Sequence, residues 1–87
     1  MDLKGRIENL LSDINKKENR NQHQFIPIVR KSLERMLTIL DGIPFHLEML
    51  KNEAGGIGRV ITDDYEFLES PIGIEVSKIC KEIYYMR

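Results

Sequence analysis

Residues 25–54 read FIPIVRKSLERMLTILDGIPFHLEMLKNEA, and this stretch decides the fold. Val29, Leu33, Met36, Leu40, Ile43, Leu47, Leu50 and Ala54 follow one another at alternating gaps of four and three, which places them on one seam of a helix. The seam has one defect, Asp41-Gly42-Ile43-Pro44. Gly42 weakens a helix, Pro44 lacks a backbone donor and collides with the carbonyl four residues back, and the residue before a proline avoids helical geometry. Two outcomes are open. Either Gly42 is a left-handed cap and Pro44 opens a new helix, or one long helix is kinked. The spacing passes through the defect without slipping, so the expectation is a kinked helix from about Ile26 to Ala54.

Ile39, Phe45 and Met49 lie off this seam, which makes the central helix apolar on more than one face and in want of two neighbours. Upstream, Asp2 suits an N-cap, and Leu3, Ile7, Leu10, Leu11 and Ile14 mark one face of a first helix reaching about Lys17. Asn15 to Gln24 then loses apolar residues, and its second half reads as an exposed connector.

Downstream, Gly55-Gly56-Ile57-Gly58 reads as a helix-stopping loop. Arg59 to Thr62 has the β-branched character of a short extended piece. Asp63 with Glu66 three residues on fits a capping box, giving a short helical turn from about Asp64 to Glu69. Ser70-Pro71 is the clearest local signal, a capping serine before a proline at the first helical position. Ile72, Val76, Ile79, Ile83 and Met86 then repeat the four-three spacing up to Met86.

These elements predict an all-α fold, a small three-helix bundle formed as a single domain over residues 1–87. Its expected core contains Leu3, Ile7, Leu10, Ile14, Val29, Leu33, Met36, Leu40, Leu47, Leu50, Phe67, Leu68, Val76, Ile79, Cys80 and Ile83. With 87 residues, 31% charged and 41% apolar, the chain fits a soluble globular class with a modest core that a partner surface would help. No apolar run approaches the roughly 20 residues of a membrane span, and Met1-Asp2-Leu3-Lys4 does not open a signal peptide. The expected compartment is cytoplasmic. Cys80 is the only cysteine, so no internal disulfide forms.

Charge is uneven. Residues 1–35 hold eight Lys and Arg against five Asp and Glu, and residues 36–87 hold five against nine. The basic part of one copy would suit the acidic part of another, although two solvated faces are the plainer reading.

The candidate sites are weak by their own chemistry. A phosphate-cradling loop needs a strand before its glycines and a helix start after them, and Gly55 to Gly58 has a helix before and acids after. Asp63, Asp64, Glu66 and Glu69 would hold Mg²⁺ only with a facing carboxylate pair, and Glu48 with Glu53 or Glu75 with Glu82 are poorly spaced for that. His23 and His46 have no metal-spaced companion, and Ser12, Ser32, Ser70 and Ser77 lack a nucleophile elbow. No catalytic residue, metal or cofactor is therefore expected.

Lys16, Lys17, Arg20, Arg30, Lys31 and Arg35 would form a basic patch for nucleic acid, diluted by Glu18 and Glu34. The favoured expectation is a non-enzymatic interaction module, a homodimer or a binder of a larger protein, that associates through Phe45, Met49, Tyr84, Tyr85 and Met86. A small Mg-dependent helical hydrolase using Asp63 to Glu69 is the third alternative.

Overall fold

The seam breaks at its defect. The computed structural model describes residues 2–17, 24–44 and 46–86, and in it the expected kinked helix is two helices. The elements are α1 (Leu3–Lys17), α2 (Ile26–Leu40), α3 (Leu47–Thr62), α4 (Tyr65–Leu68) and α5 (Pro71–Tyr84). There is no strand among the described residues.

The break follows from the proline rather than from a left-handed glycine. No described glycine has positive φ, and α2 closes instead by a tightened turn. The Asp41 amide donates to the Leu37 carbonyl at 3.0 Å and that of Gly42 to Ile39 at 3.1 Å. Ile43, expected on the seam, is 98% exposed. Its spacing to Leu40 and Leu47 was therefore a coincidence of two independent helices.

A second correction concerns the glycines. Gly55, Gly56 and Gly58 do not stop a helix, and Arg59 to Thr62 is not extended, because α3 runs through all of them. Its buried residues are Leu50, Ala54, Ile57 and Ile61, again at gaps of four, three and four. Each interior glycine costs about 1 kcal/mol of helix propensity. Burying four apolar side chains on one face outweighs that.

Splitting the central helix changes the bundle. α1 packs against α2 and α5, and α3 packs against the same two, so four long helices close around the core where three were expected. The core holds Leu3, Ile7, Leu10, Leu11 and Ile14 of α1, with Ile26, Val29, Leu33 and Met36 of α2. Val76, Ile79 and Ile83 of α5 complete it opposite the α3 stripe. Leu40, Leu47, Leu68 and Cys80, expected in the core, sit half-buried at its margin.

The helix starts are set by short side chains. The Asp2 carboxylate accepts the Gly5 amide at 2.8 Å. Asp64, one residue past the expected cap, accepts the Phe67 amide at 3.0 Å and begins α4. Ser70 accepts the Gly73 amide at 3.1 Å and donates to the Phe67 carbonyl at 2.5 Å, tying α4 to α5. This joint is tight: a Cβ on Gly73 would lie 2.0 Å from the Phe67 carbonyl oxygen. Phe67 itself is buried and meets Phe25 edge-on, with ring centroids 5.5 Å apart.

The charge asymmetry is used within the chain. Lys4 pairs with Asp41 at 2.7 Å, Arg35 with Glu53 at 3.4 Å, and Arg6 reaches both Glu82 and Glu75. Each of these joins the basic first part to the acidic later part, bracing one helix against another or against the α2–α3 turn.

Candidate functional site

Among the described residues no buried side-chain nitrogen or oxygen lacks a hydrogen-bond partner. The one buried polar residue among them, Ser32, donates to Glu53 Oε2 at 2.8 Å. The candidate features are therefore on the surface.

One surface feature built by the fold is a groove between α3 and α5. Because Leu50, Ala54, Ile57 and Ile61 face the core, the helical period turns Lys51, Gly55 and Gly58 to the flank beside α5. In α5, burial of Val76, Ile79 and Ile83 turns Cys80, Lys81 and Tyr84 toward the same space. These six residues line the groove together with the buried Ala54. A second depression continues from it past Tyr85 and Met86, sharing Lys51, Gly55 and Tyr84.

Two properties distinguish this groove. First, a Cβ placed on Gly55 or Gly58 would meet nothing within 4 Å, so the helix backbone itself is the groove floor and is open to an approaching chain. Secondly, Tyr84 and Tyr85 stand beside it 72% and 69% exposed, their rings edge-on at 5.2 Å. Among the described residues, the charged ones lining it are both lysines, Lys51 and Lys81. Cys80 lies in the wall, and burial pushes its thiol from 9.0 up to about 11, which keeps it a neutral apolar group and not a nucleophile.

Of the expected self-association residues, the structure brings Tyr84, Tyr85 and Met86 together at this groove. Met49 is exposed but lies on the other flank of α3, in a shallow depression with Ile39 and Gly56 beside α2. Phe45 lies outside the described residues, as do Arg20, His23 and the side chain of Lys17. In the expected basic patch, Lys16 and Lys31 are exposed, Arg30 is half-buried and Arg35 is engaged by Glu53.

The other candidates find plain roles. Gly55 to Gly58 sit inside a helix, where their amides belong to its hydrogen-bond ladder and not to an anion. Asp64 caps α4, while Glu75 and Glu82 both face Arg6. No three acid, histidine or cysteine side chains converge among the described residues. His46 is exposed just before α3 and makes no side-chain cap.

Gly55 and Gly58 are missed as groove residues because they read as a loop, and without them Lys51 and Lys81, each on an expected helix, have no shared face. The signal that would have found them is the spacing of Leu50, Ala54, Ile57 and Ile61 across those glycines. No helix of the described residues is long and apolar enough to cross a membrane. No protein-family model matches this chain, and neither a characterised protein nor a solved structure is significantly similar to it.

Proposed function

We propose that this chain is a non-enzymatic helical protein–protein interaction module whose docking face is the α3–α5 groove. One observation carries the proposal: bare helix backbone at the exposed Gly55 and the half-buried Gly58, with no intramolecular neighbour to require it, beside two exposed tyrosines. Glycine in a helix interior sacrifices stability and allows close backbone approach. At Gly73 that approach is made inside the molecule, by the Phe67 carbonyl. At Gly55 and Gly58 the approaching group comes from another chain, either a second copy or a larger partner.

Gly55→Leu and Tyr84→Ala test this, since both change the groove and neither touches the buried core. Mass in solution by light scattering on a size-exclusion column, at two concentrations and at low and high salt, reads self-association. A dimer that survives high salt and is lost in both variants supports pairing of two copies through this face. A dimer unchanged by either variant refutes the docking face. If the wild type is a monomer, the same two variants must each weaken capture of a helical peptide, and peptide binding that ignores both refutes it equally.

A further inference from the structure

Resting on the docking face proposed above, we infer that the occupant of the α3–α5 groove is an amphipathic helix of a partner protein, carrying carboxylates along the edges of its apolar stripe. The charged side chains at the groove are Lys51 on the α3 side and Lys81 on the α5 side. Neither pairs with a carboxylate among the described residues, whereas Lys4, Arg6, Arg35 and Lys78 all do. Among the described residues the groove therefore presents one sign of charge on both rims and no lining acid.

That sign decides between occupants. A two-fold interface sets the same patch against itself, so in a dimer built on this groove Lys51 and Lys81 would face the lysines of the other copy. Like charges brought together in a closing interface oppose it. A partner helix with Glu or Asp on either side of an apolar ridge answers both rims at once. Its ridge lies along the floor of Ala54, Gly55 and Gly58, and the Tyr84 ring covers its end. This is helix-in-groove recognition, with apolar anchors supplying affinity and the rim charges supplying selection. Two lysines are a small footprint for nucleic acid, whose binding draws on many phosphate contacts at once, while the apolar floor has no use for a phosphate backbone.

The test is a fluorescence-anisotropy titration of the full chain with two helical peptides of about 14 residues. They share one leucine stripe and differ only in carrying Glu or Lys at the flanking positions. A single-stranded oligonucleotide serves as the third probe. The expected result is that the Glu peptide binds at least about tenfold tighter than the Lys peptide. The Lys51→Glu/Lys81→Glu double variant reverses that preference, and Gly55→Leu abolishes binding at a melting temperature no lower than that of the wild type.

Equal binding of the two peptides, preference for the oligonucleotide, or a wild-type dimer broken by Gly55→Leu would each overturn the inference. The last of these leaves the interaction-module proposal standing with a second copy as occupant. A monomer that binds no peptide overturns both.

Discussion

The same substitution, glycine to alanine, has opposite effects at two places in this chain. At Gly73 the added methyl carbon would lie 2.0 Å from the Phe67 carbonyl oxygen, 2.9 Å from its carbon and 3.0 Å from the Leu68 carbonyl carbon. All three are backbone atoms of the α4 turn, so no side chain can swing aside. Relief requires α5 to move by more than about 1 Å, which loosens the Ser70 cap and the seat of Phe67. Forced overpacking costs about 1–3 kcal/mol and more where backbone must shift, and better helix propensity returns at most about 1 kcal/mol. Gly73→Ala should therefore lose about 2–4 kcal/mol, or roughly 10–25 °C in melting temperature for a domain of this size. At Gly55 the methyl meets nothing within 4 Å, and Gly55→Ala should gain about 0.5–1 kcal/mol, roughly 3–7 °C. Urea unfolding followed by far-ultraviolet circular dichroism reads both. A neutral Gly73→Ala, or a destabilising Gly55→Ala, would refute the packing described for α4 and α3 respectively.

Three further outcomes are expected. Ser32→Ala removes the buried hydroxyl that holds Glu53 at 2.8 Å and should lower the urea-unfolding free energy by about 1–2 kcal/mol. Arg6→Gln should cost no more than about 1 kcal/mol, because its carboxylate partners are partly exposed, and the loss should shrink when the melts are repeated at 1 M salt. Cys80 keeps its proton in the folded chain up to about 11 while an unfolded thiol gives it up near 9.0. Its contribution to stability is thus complete below pH 9 and disappears as pH rises from 9 to 11. Cys80→Ala should flatten that part of the stability profile, and alkylation at neutral pH should run about 100-fold slower than for a thiol with the unshifted value.

Periodicity made most of the fold legible. Leu3 to Ile14, Val29 to Met36 and Val76 to Ile83 are buried as their spacing predicts, and Ser70-Pro71 opens α5 as its chemistry requires. Pattern and structure part at two places. At Pro44 the register runs on, yet a missing donor and a ring clash act at one residue and need no register to end a helix. At Gly55 to Gly58 the reverse holds: glycine costs a helix only about 1 kcal/mol per residue, and Leu50, Ala54, Ile57 and Ile61 together bury enough to override it. Proline forbids and glycine only discourages, which is why the first should have broken the seam and the second should not.

The groove was less legible for a related reason. Tyr84, Tyr85 and Met86 stood out as apolar residues without an evident cover, and they do gather at one place. Gly55 and Gly58 lie in a segment that reads as a loop, so the pattern assigns them no helix face, and Lys51 has no groove without them. Nor does composition identify what lies over them. A core residue is specified by neighbours in its own chain, and its period records them. A residue whose neighbour belongs to another molecule leaves only a negative trace, a side chain or backbone more open than its own fold needs. On the proposed docking face of α3 that trace would be two glycines, Gly55 and Gly58, whose absent methyl groups clear space for nothing inside the molecule. Gly73 shows what the same residue looks like when the intruding backbone is its own. If the α3 glycines serve docking, the gain in stability from filling Gly55 comes at the expense of the close approach that the bare backbone allows. Stability and association then respond in opposite directions at one position, as expected where a surface is kept open for a partner.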